Sequence, residues 1–134
     1  MKSATLFAAI LLLVSSTLFS CTEQQDMVSG PEDMLSRGNW TVDYYFNGQD
    51  QTAQYGSYSF TFNSNGIVSC ANTVHNCTGT WQIRKNVQSD ELSISLTTQQ
   101  PELQQLNQNW SIAEASMQSL TLTNGTGQFR LRKQ

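Results

Sequence analysis

Along most of this chain apolar residues fall at every second position, the spacing that turns one face of a β-strand into a core and the other into water. From position 40, Trp40, Val42, Tyr44 and Phe46 share one face, and Thr41, Asp43, Tyr45 and Asn47 share the other. Tyr58, Phe60 and Phe62 repeat the rule and stop at Asn63-Ser64-Asn65-Gly66, whose Asn-Gly pair readily supplies the positive φ angles of a tight turn. The returning strand, 67–72, points Val68 and Cys70 inward, and the next carries Cys77, Gly79, Trp81 and Ile83 on one side. Leu92, Ile94 and Leu96 mark a fifth strand. Three more close the chain, with inward pairs Trp110 and Ile112, Leu120 and Leu122, and Phe129 and Leu131.

One segment breaks the alternation. In 101–106 a proline opens a stretch with leucines three apart, which predicts a short helix. About eight strands in succession with short connections predict an all-β fold: a small antiparallel up-and-down β-barrel with one short helix, closed because closure removes exposed strand edges.

The first residues follow a different logic. Lys2, the apolar run 6–14 and a small-residue approach to cleavage over 15–20 read as a signal peptide over 1–20, its apolar run too short for a spanning helix. The sequence Leu18-Phe19-Ser20-Cys21 resembles the lipobox of bacterial lipoproteins, which implies cleavage before Cys21 and lipid on its thiol. Acyl chains would then hold the protein on a membrane. Residues 21–37 are polar and lack sustained periodicity, so they read as a flexible tether, with the folded domain at 38–134. The expected address is the bacterial cell envelope, on the outer membrane.

Charge and cysteine content narrow the picture. Seven basic against ten acidic residues become six against ten once Lys2 leaves with the leader, a balance of −4 that lacks the basic footprint of a nucleic-acid binder. With Cys21 lipidated, Cys70 and Cys77 remain as a pair on inward faces of adjacent strands, and a disulfide between them is expected in an oxidising compartment. Cys70, His75 and Cys77 match no metal spacing and lack a fourth ligand, so no metal or other cofactor is expected.

The domain resembles the lipocalin-like domain lipoproteins of Bacteroidota. The likeness is carried by Gly38-Asn39-Trp40, Tyr58-Ser59-Phe60-Thr61-Phe62 before Asn65-Gly66, Gly79-Thr80-Trp81, the stretch 106–110, and Phe129-Arg130-Leu131-Arg132-Lys133. It implies a lipocalin-like barrel in which an arginine, Arg130 or Arg132, covers the indole of Trp40 beside Gly38 at the closed end. A looser second resemblance, through Phe62, Gly66, Cys70 and Asn76-Cys77, is to META-type heat-stress lipoproteins.

No constellation for catalysis stands out. His75 is the single histidine, in a turn, and neither a nucleophile elbow nor a convergent pair of carboxylates can be assembled. The expected function is therefore non-enzymatic: binding of a small apolar ligand at the barrel mouth, with Tyr44, Trp81 and Trp110 as contacts. The alternative is a protein-interaction or envelope-structural module, META-like or inhibitor-like, presenting residues such as Tyr45 and Tyr55 to a partner in the envelope. The many large rings on the inward list predict a core mostly filled by side chains.

Overall fold

The structure, a computed structural model, describes residues 30–134. Eight antiparallel strands in chain order close into a barrel: β1 (Trp40–Phe46), β2 (Ser59–Phe62), β3 (Ile67–Ala71), β4 (Asn76–Arg84), β5 (Glu91–Thr97), β6 (Asn109–Ala115), β7 (Ser119–Asn124) and β8 (Gly127–Lys133), with β8 pairing back to β1. A helix α1 (Pro31–Leu35) precedes the barrel, a 3₁₀ helix (Thr52–Tyr55) sits between β1 and β2, and α2 (Pro101–Gln104) lies between β5 and β6 where the proline predicts it. An up-and-down order places alternate connections on opposite rims. The near rim has α1, the β2–β3, β4–β5 and β6–β7 turns and the C-terminus; the far rim has the 3₁₀ helix, the β3–β4 turn, α2 and the β7–β8 turn.

Apart from the end of β6, the inward sets expected from β2 to β8 hold. Phe60, Phe62, Val68, Leu92, Leu120, Leu122, Phe129 and Leu131 are all buried in one core. In β1 it holds only as far as Val42, because the pairing with β8 slips between Val42 and Tyr44. Such a bulge adds one residue and exchanges the faces beyond it. Tyr45 is therefore fully buried, whereas Tyr44 and Phe46, expected inward, are half-buried on the outer wall. A second slip between Ile112 and Glu114 loosens the end of β6 in the same way and leaves Glu114 exposed.

The β2–β3 turn also differs in detail from the expected pair of positive φ angles. Its fold closes through the Gly66 amide donating to the Asn63 carbonyl at 3.0 Å, and only Gly66, at φ +86°, occupies the left-handed region. The glycine is thus the bulge residue after a turn centred on Ser64 and Asn65. Gly79 has a packing role: a Cβ there would lie 2.0 Å from the Ser95 carbonyl oxygen, so only glycine lets β4 and β5 cross this closely.

The folded unit begins earlier than position 38. Residues 31–35 lie within the segment read as tether, yet they form α1, with Pro31 in its first turn, Glu32 and Asp33 beside its positive end, and Met34 and Leu35 buried. Leu35 lies beneath Trp40, whose indole N–H donates to the Leu35 carbonyl at 3.0 Å.

Candidate functional site

Both ends of the barrel are covered, by different means. At the near rim the group over the Trp40 indole is Lys133, its Nζ 5.1 Å from the ring centroid. This corrects the expected arginine. Lys133 shares the inward parity of Phe129 and Leu131, whereas Arg130 and Arg132 fall on the outer wall. There both guanidinium groups donate to the Asp43 carboxylate, at 2.7 and 3.1 Å, and Arg130 lies 5.7 Å from the Tyr44 ring centre. Gly38, at φ +78°, turns the chain from α1 into β1.

At the far rim the seal is polar as well as apolar. The Tyr55 hydroxyl donates to the Glu102 carbonyl at 2.6 Å, and the Tyr58 hydroxyl donates to the Glu102 carboxylate at 2.8 Å. Leu103 and Leu106 are buried beneath, and the Asn107 side chain exchanges two hydrogen bonds with the Leu96 backbone, substituting for a strand where β6 has yet to begin. Tyr45 and Tyr55, expected as exposed contacts for a partner, are both fully buried here with their ring centres 4.8 Å apart. Burial pushes the Tyr58 phenol up to about 12, with the Glu102 hydrogen bond adding to the shift, and raises the Tyr45 and Tyr55 phenols too.

The lumen between these seals holds side chains. Trp110 packs against Phe129 and Tyr45, with ring centres 5.3 and 6.2 Å away, and its N–H donates to the Leu106 carbonyl. Trp81, in contrast, reaches the near rim, edge-on to Phe62 at 5.6 Å and donating to the Asn63 carbonyl. The three contacts expected at one mouth are therefore dispersed: Tyr44 on the outer wall, Trp110 in the core and Trp81 at the near rim.

Around Trp81 is a cleft of about 410 Å³ between α1, the β2–β3 turn and β4. Trp81 and Ile83 form its apolar side, Ser64 and Gly66 one wall, and Glu32 and Ser36 of α1 the other. Glu32 sits 3.7 Å from Lys85, and Asp33 is held by Arg37 at 2.8 Å, so the acidic edge of the cleft is partly neutralised. Nothing in the alternation marks this cleft, because one wall belongs to α1. The Met34-Leu35 pair after Pro31 is the signal that points to it.

Cys70 and Cys77 stand directly opposite each other in the β3–β4 register and are free thiols, both buried. Burial is the main cause that raises each thiol, and Cys77 adds to the shift at Cys70, which keeps the pair protonated and poorly nucleophilic near neutrality. A second cleft, of about 480 Å³, runs over this pair between Ser69, Thr78 and Thr97. His75 is exposed in the neighbouring turn. Cys21 and the signal-peptide residues lie outside the described residues.

No protein-family model matches the chain, and neither does any curated protein. Solved structures do. A lipocalin-like protein from Bacteroides uniformis superposes with a TM-score of 0.56 at 17% identity, over 75% of this chain and 98% of that one. The fold is lipocalin-like. A DUF4847 family protein from Bacteroides vulgatus superposes on the same lipocalin-like barrel with a TM-score of 0.58 at 16% identity, covering 77% and 98% of the two chains. An uncharacterized protein from Bacteroides eggerthii gives 0.54 at 15% identity, covering 74% and 99%.

Proposed function

We propose that this lipocalin-like barrel is a non-catalytic binding module of the bacterial envelope, lipidated at Cys21, that takes a small apolar group into the cleft between α1 and β4. The observation that carries the reading is the apolar side made by Trp81 and Ile83 in a cleft outside a barrel whose lumen is already filled. Its volume lies within the range of about 300–1,000 Å³ usual for ligand pockets. The lipobox-like Leu18-Phe19-Ser20-Cys21 supports the anchor, and the outer membrane is the address proposed with it.

The test is native mass spectrometry of the detergent-released chain after incubation with decanoic acid. One adduct per chain is expected, lost both in Ile83→Asp, which places a charge in the cleft, and in Ser36→Trp, which fills it from α1. No adduct with the parent chain, or adducts indifferent to both changes, would sink the proposal. A second reading, an interaction module binding another envelope protein through the outer wall, is favoured by the filled lumen. In-cell cross-linking that returned only monomer would remove it.

A further inference from the structure

Four large apolar side chains are exposed among the described residues: Ile67, Val74, Val87 and Met117, at 39, 76, 102 and 52%. Three of them belong to the near rim, each on or directly after a different turn. Ile67 follows the β2–β3 turn, Val87 is in the β4–β5 connection, and Met117 is in the β6–β7 connection. Val74 alone is on the far rim. A scattered surface leucine or valine needs no account, but one exposed apolar residue on or beside every strand-to-strand turn of a single rim is a pattern.

The same rim receives the chain from its N-terminus. Gly30 lies at the start of α1, and the nine steps back to Cys21 span at most about 30 Å when fully extended. Charge separates the rims further. Arg37, Arg84, Lys85, Arg132 and Lys133 lie at or next to the near rim, where they balance Glu32, Asp33, Asp90, Glu91 and Glu114. The far rim has Asp50 and Glu102 and no lysine or arginine. An anionic bilayer surface therefore repels the far rim and accepts the near one.

We infer that the near rim docks on the bilayer, with Val87 and Met117 entering the interfacial region and Ile67 beside them. This rests on the reading of Cys21 as the lipid anchor, and the two are separable. The rim also holds the Trp81 cleft, so docking turns the proposed binding site toward lipid rather than toward bulk water.

The experiment uses the full chain purified from membranes, with Val87→Cys, Met117→Cys or Val74→Cys carrying a polarity-sensitive fluorophore, reconstituted in protein-free vesicles of phosphatidylethanolamine and phosphatidylglycerol. Mass spectrometry of the N-terminal peptide reads acylation of Cys21 independently. The expected result is a blue shift with brighter emission at positions 87 and 117 and unchanged emission at 74. An acylated chain with no shift at 87 or 117 overturns docking and leaves the anchor standing. A chain without acyl groups overturns the anchor, and added vesicles then decide docking through the same labels. Shifts that occur in native envelopes but not in protein-free vesicles assign the rim to a protein partner and overturn the proposal.

Discussion

The two rims of this barrel are closed by different chemistry, and the difference separates a seal built on a buried ring from one built on groups that titrate. The near rim is sealed by one large ring: Trp40 is fully buried, tied to Leu35 and covered by Lys133. The far rim is sealed by a crosslink of phenols to one residue of a short helix, Tyr55 and Tyr58 on Glu102. Apolar burial is indifferent to pH, whereas a phenol on a carboxylate works only while the phenol keeps its proton. The near rim is therefore an apolar plug, with its cleft outside, and the far rim is a latch that depends on protonation.

The largest effect should follow removal of the plug. Trp40→Ala deletes the ring, its hydrogen bond to Leu35 and the partner of Lys133, and is expected to cost about 3–5 kcal/mol in urea unfolding. A loss well below that would show that α1 and Leu35 close the near rim without the indole. Next comes the pair on the far-rim side. Antiparallel partners that exchange hydrogen bonds have Cα atoms about 5.5 Å apart, within disulfide range, and the ladder running from Gly66 and Trp81 puts Cys70 and Cys77 in such a pair. Oxidation of the two thiols, with two protons and two electrons passing to a disulfide donor, should stabilise the barrel by about 2.5 kcal/mol, the value for closing so short a loop. Unfolding midpoints with and without reductant check it, and equal midpoints would exclude the bond.

The latch itself should be weaker. Glu102→Ala leaves the buried Tyr58 hydroxyl without its acceptor and is expected to cost about 1–2 kcal/mol, mostly restored in Glu102→Gln. Its pH dependence has a fixed sign. The folded Tyr58 phenol titrates at about 12 against an ordinary value of 10.0, so its contribution is complete below pH 10 and is lost as pH rises toward 12. Unfolding followed against pH should show that alkaline decline, with a smaller decline in Tyr58→Phe. An unchanged profile in Tyr58→Phe would mean that Tyr45 and Tyr55, also raised, carry the effect.

Much of this frame is legible in the residue pattern, and each departure from it has its own cause. Strand order, the α2 proline and the inward sets from Phe60 to Leu131 follow from period two, which is local. The exchange of Tyr44 for Tyr45 follows from a bulge opposite β8, a neighbour in space but 87 residues away along the chain at Asp43 and Arg130, which no residue type near Asp43 announces. Once that slip is missed, Tyr44 is expected in a pocket and Tyr45 on the surface. The choice of arginine over Lys133 has a different origin, since parity alone would have placed Lys133 on the face of Trp40. The cleft was hidden because α1 lies in a polar stretch, where two apolar residues, Met34 and Leu35, are too few to register as periodicity.

The smallest test returns to that lysine and asks whether the near rim is as indifferent to charge as its ring suggests. Lys133 lies over the face of Trp40, an arrangement worth about 0.5–1 kcal/mol at a partly exposed site. Lys133→Met keeps the stem packed on the indole and removes the cation, so it should destabilise by no more than that amount. Added salt should narrow the difference between the parent and the variant. A larger loss in Lys133→Met, or one that tracks pH as the far rim does, would mean that the plug depends on charge after all. The contrast between a pH-indifferent near rim and a titratable far rim would then fail at its most accessible residue.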